Sequence, residues 1–361
     1  MTEPILRLVN ISKDFGNGPV LKSLNLDVYP GEFLTLLGPS GCGKTTTLRI
    51  IAGLEQPTGG QVLLEGADMT RLPPEKRPLN TVFQNYALFP HMNVFQNIAY
   101  GLRVERVSRQ EQKRRVEEVL ALVRLSGYEK RMPNQLSGGQ RQRVAIARSV
   151  VLHPRVLLLD EPLGALDLKL RQEMQHELKQ LQQQLGITFI YITHDQEEAL
   201  NMSSRVVIMR RGSLEQVGTP EEVYEHPATL FAADFVGQSN LLHGVITAAE
   251  GERLTLRAGD VDLPVRAAGS FAPKVGERAV LCLRPQRVRY GSLPEPETAL
   301  PGRILSKEYV GGMQHTRIAL SSQVTLSAVN QSAEMDSRAV GSQVYVSWNP
   351  AHAPLVPEEA Q

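Results

Sequence analysis

Residues Gly38-Pro39-Ser40-Gly41-Cys42-Gly43-Lys44-Thr45 constrain the fold of this 361-residue chain more than any other stretch. Glycines at 38, 41 and 43 let the backbone turn sharply and aim its N–H groups inward, and the helix expected from Lys44-Thr45-Thr46 onward adds its positive N-terminal end. Such a loop needs a strand in front of it, which the apolar run Gly31 to Leu37 supplies. Strand, loop, Lys-Thr and helix in that order read as a phosphate cradle. Lys44 is expected to reach the β- and γ-phosphate oxygens and the Thr45 hydroxyl to ligate Mg²⁺. A glycine-rich turn that binds nothing has no need of Lys and Thr at that spacing.

A second motif is Val156-Leu157-Leu158-Leu159-Asp160-Glu161, an apolar strand ending in two carboxylates. Side chains alternate along a strand, so Asp160 can face the metal while Glu161 faces an attacking water. Alone, the pair would read equally well as a solvated acidic turn. Between the two motifs lies Leu136-Ser137-Gly138-Gly139-Gln140, placed to cap a helix running from Arg141 to Val151 with donors at its positive end.

The three motifs together resemble the ATP-binding-cassette (ABC) ATPase family, whose active site is completed by a second copy. The resemblance implies that Ser137, Gly138, Gly139 and Gln140 bind the γ-phosphate of ATP held by the partner subunit. It extends to single residues: His194, ahead of Asp195-Gln196-Glu197-Glu198-Ala199, matches the switch histidine; Gln84 in Val82-Phe83-Gln84-Asn85 matches the glutamine that senses Mg²⁺ and water. Asp167 in Gly164-Ala165-Leu166-Asp167 matches the loop that crosses the dimer interface, and Phe15 stands where the family stacks an aromatic on adenine, with Tyr29 as the alternative. Residues Gln84 to Val94 resemble the groove that receives a helix of the membrane permease in importers.

Along the chain, Leu6 to Ile11, Gly31 to Leu37, Val156 to Leu159 and Ile187 to Thr193 are short apolar runs, expected as strands of one mostly parallel sheet. Ser108 and Glu111 suggest a capping box, followed by Val116, Val119, Leu120 and Val123 at helical spacing, so a helical insertion is expected from about Phe89 to Asn134, reaching 150 with the signature helix. Another helix carries Leu170, Met174, Leu178, Leu181 and Leu185 and stops at Gly186, and Thr219-Pro220-Glu221-Glu222 opens a further one. After Gly237 the pattern turns to period two, separated by Gly and Pro turns, which predicts a small all-β domain over 238–361 behind a cassette over 1–237. Leu283-Arg284-Pro285-Gln286 and Glu308-Tyr309-Val310-Gly311 resemble the OB-like TOBE extension of importer ATPases, with Gln286 where many relatives carry Glu.

Composition narrows the function. Lys and Arg number 39 against 38 Asp and Glu, a net charge of +1, so no global basic field points to nucleic acid. Two cysteines, Cys42 and Cys282, make no disulfide framework and suit a reducing compartment. Met1-Thr2-Glu3-Pro4 carries no basic-then-apolar leader, and no apolar run approaches the ~18 residues of a membrane span. The expectation is therefore an ATPase peripheral to the cytoplasmic face of the inner membrane. It would work as a head-to-tail homodimer on permease subunits, with a solute receptor engaged indirectly. Within that resemblance the stretch from Gly31 to Gly237 leans toward spermidine/putrescine importers over ferric-iron and sugar importers. A soluble, non-transport ABC ATPase is the reading of a different class; it normally brings coiled coils or two cassettes, and neither is seen here. Binding of a regulator by the β-domain would be an added role.

Overall fold

A computed structural model describes residues 3–164, 167–267, 271–292, 299–331 and 337–358. Ala165 and Leu166 of the loop before Asp167 lie outside the described residues. The chain divides into two compact units, Met1–Pro220 and Glu221–Gln361.

The first unit contains β1 (Leu6–Asp14), β2 (Pro19–Val28), β3 (Phe33–Leu37), α1 (Lys44–Ala52), β4 (Gly59–Leu64), β5 (Ala67–Asp68) and β6 (Leu79–Val82). There follow α2 (Val94–Ile98), α3 (Tyr100–Val104), α4 (Arg109–Leu122), α5 (Gly138–Val150), β7 (Val156–Asp160) and α6 (Leu168–Leu185). It closes with β8 (Thr188–Thr193), α7 (Gln196–Met202), β9 (Arg205–Arg210) and β10 (Ser213–Gly218). One sheet runs β10-β9-β3-β8-β7-β6, parallel except for the β10–β9 pair. Its central strands are covered on both faces, by α1 with β1 and β2 on one and by α5 and α6 on the other, so all of β3 and β8 is buried, Thr35, Thr188 and Thr193 included.

Leu6 to Ile11 does not join that sheet. It forms β1 of a separate antiparallel sheet, β2-β1-β4-β5. Leu6, Leu8 and Ile11 are buried while Arg7 and Asn10 are exposed, the alternation of a strand wet on one side. The extra residue between Leu8 and Ile11 is absorbed by a bulge, with Asn10 at φ 51°. The capping box at α4 is only half formed: Ser108 Oγ accepts from Glu111 N–H, but the Glu111 carboxylate pairs with Arg114 and Arg115 instead of returning to the cap. The helical insertion is present as α2 to α5, packed on its own core of Val94, Ile98, Leu102, Val116, Leu120 and Val144.

In the second unit α8 (Pro220–Glu225, entered across the boundary) and α9 (Leu230–Phe235) precede β11 (Asn240–Glu250), β12 (Arg253–Ala258), β13 (Val261–Arg266), β14 (Arg278–Leu283) and β15 (Arg289–Gly291). The remaining strands are β16 (Leu300–Val310), β17 (Met313–Ala319), β18 (Thr325–Gln331), β19 (Gln343–Ser347) and β20 (Leu355–Pro357). They make two five-stranded sheets, β13-β12-β11-β14-β20 and β15-β19-β16-β17-β18, which share one core including Leu256, Leu281, Ile318, Leu326, Val346 and Trp348.

The division falls earlier than the sequence suggested, at 220 and not 237. Arg284 gives the physical reason. Its guanidinium, 4% exposed, lies 4.1 Å from the Tyr224 ring and donates to the carbonyls of Tyr224, Ala233, Val236 and Gln238. Ala233 also packs against Val280, Cys282 and Val356. Helices α8 and α9 thus belong to the β-rich unit. Gln286, the departure from the family pattern, donates to Tyr224 Oη at 2.9 Å.

Candidate active site

Four strands of the parallel sheet end side by side. In the order β3-β8-β7-β6, Leu37 pairs with Thr193, Ile192 with Asp160, and Leu159 with Val82. Immediately past these ends come Gly38, His194, Glu161 and Gln84. Crevices outside the carboxyl ends of parallel strands are where ligands bind in open α/β sheets. Residues far apart in sequence are brought to one edge because each sits just past a strand end.

The loop 38–45 wraps into α1, with Gly43 as the helix cap at φ 108°. A side chain at Gly43 would run into Leu21, and one at Gly38 into the Met209 carbonyl and Cys42 Sγ, so both positions need glycine. Ser40, Gly41 and Thr45 are exposed and Thr46 is half-buried; Pro39 is exposed. Lys44 is buried at 5% exposure, its Nζ donating to the carbonyls of Gly38 (2.6 Å) and Pro39 (3.0 Å), 3.8 Å from Cys42 Sγ. Cys42 and Cys282 are both buried free thiols, and burial pushes Cys282 up to about 12.

Asp160 and Glu161 end β7. Burial raises the Asp160 carboxyl above its ordinary range, the neighbouring Glu161 raises it further, and Arg49 and Lys44 act against both. Glu161 adopts φ 43°, left-handed for a residue with a Cβ, and its N–H donates to Ile192 O at 3.2 Å. That turn brings its carboxylate 3.3 Å from His194 Nδ1. Gln84 is exposed, and its amide nitrogen lies 3.6 Å from where a Cβ on Gly164 would stand, three residues after Glu161. The two adjacent carboxylates at this strand end and the exposed Thr45 hydroxyl of the loop are hard oxygen donors of the kind that suits Mg²⁺.

Ser137 caps α5 in a complete capping box, with Gln140 N–H to Ser137 Oγ at 3.3 Å and Ser137 N–H to Gln140 Oε1 at 3.0 Å. The helix starts at Gly138, not Arg141, so both glycines lie in its first turn. Asp167 caps α6 through Leu170 N–H at 3.0 Å. Phe15 is 54% exposed, with Lys13 Nζ 4.7 Å from its ring centroid; Tyr29 is less exposed, with the Arg205 guanidinium 5.1 Å from its ring centroid.

Residues 84–94 are held from beneath. Asn97, fully buried on α2, donates to the carbonyls of Phe89, Met92 and Asn93 and accepts from Phe89 N–H. Arg148 donates to the carbonyls of Tyr86 and Ala87, both at positive φ (61° and 44°). The Phe89 ring packs 4.7 Å from Tyr100. Sequence reading missed Asn97 and Arg148, and also Arg49. A polar residue inside a helical apolar stripe is the signal for Asn97; nothing local marks the two arginines.

Among the described residues no helix is long and apolar enough to cross a membrane. Residues 21–164 match the ABC transporter family and residues 281–356 the TOBE domain. A spermidine/putrescine import ATP-binding protein of Rubrobacter xylanophilus is 50% identical over 96% of this chain and 92% of its own length. Proteins of the same description from Marinobacter nauticus and Legionella pneumophila are 49% and 45% identical over 100% and 99% of the chain. Among solved structures, cbiO1 of Clostridium perfringens, part of an ABC transporter complex, superposes with a TM-score of 0.57 at 30% identity, covering 61% of this chain and 90% of that one. The dimeric cassette MJ0796 does so at 0.53 and 33%, covering 60% and 98%. With its phosphate loop, acidic strand end and signature helix carried on the cassette fold, the chain belongs to the ABC transporter ATP-binding family, in the branch that carries a TOBE domain.

Proposed function

We propose that this protein is the ATP-hydrolysing, energy-coupling subunit of a spermidine/putrescine importer. It would bind the cytoplasmic side of polytopic permease subunits as a homodimer. The observation that supports the chemistry best is that four adjacent strand ends carry Asp160 at the end of β7, with Glu161, His194, Gln84 and the loop leading to Lys44 just past them. The cargo rests on the full-length likeness to polyamine import proteins.

Hydrolysis of a phosphoanhydride is mostly positioning and charge stabilisation. Lys44 exchanges its loop carbonyls for the β- and γ-phosphate oxygens of ATP, and the loop of Gly38 and Pro39, with the N–H groups of residues 40–46, holds the phosphate chain. Phe15 stacks on the adenine. Glu161, fixed by its left-handed turn, orients the attacking water and takes its proton, and His194 at its side holds the γ-phosphate. Thr45 and Asp160, with Gln84, would hold Mg²⁺, which when bound neutralises charge on the phosphate oxygens. Ser137, Gly138, Gly139 and Gln140 of one copy close over the nucleotide of the other, with Asp167 beside that interface. Closure then moves the permease helices seated on 84–94.

The test is reconstitution with the cognate permease and receptor in liposomes. Spermidine or putrescine should raise ATP turnover there and leave the isolated protein unaffected. Stimulation by ferric iron or a sugar alone would overturn the cargo and keep the importer; the absence of any permease complex would overturn the importer itself.

A further inference from the structure

Next to His194 lies a group of charged side chains that hydrolysis, as described, does not use. The Glu198 carboxylate, on α7, is 3% exposed, yet one of its oxygens accepts from Tyr191 Oη at 2.7 Å and from Thr193 Oγ1 at 2.6 Å. Both hydroxyls come from β8, the strand that ends at Thr193, directly before His194. The other oxygen is 3.9 Å from Arg171 Nε, and Arg171 Nη1 lies 3.1 Å from Asp195 Oδ2. Asp195 caps α7 by accepting from Glu197 and Glu198 N–H, and its own N–H donates to Thr193 Oγ1 at 2.9 Å. Of the two residues that flank His194, Thr193 is therefore held by the Glu198 carboxylate, and Asp195 by the Glu198 N–H, by Thr193 Oγ1 and by Arg171. Arg171 belongs to the first turn of α6, and its N–H donates to the carbonyl of Asp167 at 2.9 Å.

A carboxylate in this position is not explained by stability. Burial raises its proton affinity against the pull of the two hydroxyls, and an apolar side chain of similar size normally packs at least as well as a buried ion group. What the group supplies is direction: the carboxylate holds the Tyr191 and Thr193 hydroxyls of β8 ahead of His194 and faces Arg171 of α6, while the Glu198 N–H and Arg171 hold Asp195 behind it. The imidazole itself is 60% exposed on its side chain and lies against Glu161 at 3.3 Å.

We propose that Glu198 and Arg171 are positioning residues for ATP hydrolysis, holding His194 at its working distance from Glu161 and tying that setting to Asp167 at the head of α6. The proposal rests on the reading of His194 as a γ-phosphate contact. A shift at the start of α6 would pull on Asp195 and Glu198 through Arg171, so an event at the Asp167 loop is felt at His194 through packed, hydrogen-bonded groups.

The test is a set of cycles on the full-length protein, measuring kcat, KM for ATP and melting temperature for E198Q, R171M, R171K and H194A, and for E198Q and R171M each combined with H194A. Expected for E198Q and R171M is a kcat loss of about tenfold with KM within about twofold of the parent, and partial recovery in R171K. R171M lies at a side chain 26% exposed and keeps the fold even if E198Q does not. The distinguishing result is in the H194A background, where neither substitution should lower turnover further, because the residue they act through is gone. An equal additional loss in H194A would overturn the proposal and leave His194 in its role, as would unchanged kcat in both single variants. Wild-type turnover in H194A alone would overturn the role of His194 and the proposal with it.

Discussion

The phenol of Tyr86 donates to the main-chain carbonyl of Pro162 across 3.3 Å. Tyr86 stands two residues after Gln84, and Pro162 directly follows Glu161, so one hydrogen bond ties the segment proposed to receive the permease to the neighbour of the residue proposed to orient water. Tyr86→Phe keeps the ring and removes the bond. Basal ATP turnover should stay near the parent value, while stimulation by the reconstituted permease complex falls. Phosphate release per minute, measured with and without permease, reads both quantities; equal stimulation in the variant and the parent protein would show that the bond carries no coupling.

Glu161→Gln should bind ATP and persist as an ATP-dependent dimer while hydrolysing it about 10²- to 10⁴-fold more slowly, because the amide cannot take a proton. Size-exclusion chromatography with ATP, read beside single-turnover hydrolysis, checks both halves. Lys44→Ala differs in losing nucleotide affinity itself, visible as a weaker Kd for a fluorescent ATP analogue.

Asp160 links stability to pH. Its folded-state proton affinity is raised above the ordinary aspartate value by burial and by Glu161. A raised acid is destabilising where it is ionised, so its contribution becomes less unfavourable as pH falls from neutrality through the raised folded value toward the unfolded one. Metal-free protein should accordingly melt higher for Asp160→Asn than for the parent at pH 7, with the gap closing as pH is lowered, and the variant should lose the stabilisation that Mg²⁺ and ATP confer together. Differential scanning fluorimetry across pH with and without Mg²⁺ reads all three.

Asn97→Ala strips four hydrogen bonds from a fully buried position and takes from Phe89 N–H and the Met92 carbonyl the partner they have there, while the Phe89 and Asn93 carbonyls keep the N–H groups of Met92 and residue 97. A loss of about 2–4 kcal/mol in unfolding free energy is expected from urea titration. ATP affinity of the folded protein should not change, since the phosphate loop lies on a different strand end.

A fragment ending at residue 220 should fold, bind ATP and stay soluble, whereas one ending at 237 keeps α8 and α9 without the Arg284 guanidinium and the Val280–Cys282 face they cover. Circular dichroism and light scattering of the two fragments discriminate: greater aggregation of the shorter one would place the helices with the cassette.

What could be read from sequence was local. Lys44, Ser137 and the Asp160-Glu161 pair announce themselves because strand, cap and loop chemistry is written in neighbouring letters, and the structure puts each at the element end expected of it. Leu6 to Ile11 was misplaced because an apolar-polar alternation interrupted by a bulge looks like a short buried run. The boundary at 237 followed the change of period at Gly237, but Arg284 reaches back to Tyr224 across 60 residues, and no window along the chain contains both. Arg171 and Glu198 are hidden for the same reason: each looks like one more charge on a helix until folding sets α6 against α7.

The strand order carries a consequence for how the protein is made. β3, which leads into the phosphate loop, is hydrogen-bonded only to β8 and β9, with Phe33 opposite Phe189 and Leu34 opposite Arg205. During synthesis the run Phe33-Leu34-Thr35-Leu36-Leu37 has no lateral partner in its final sheet until more than 150 further residues have left the ribosome. The sheet edge that carries the phosphate loop is therefore complete only once β8 and β9 have been made, and ATP bound to the finished site would add stability only to chains that have folded.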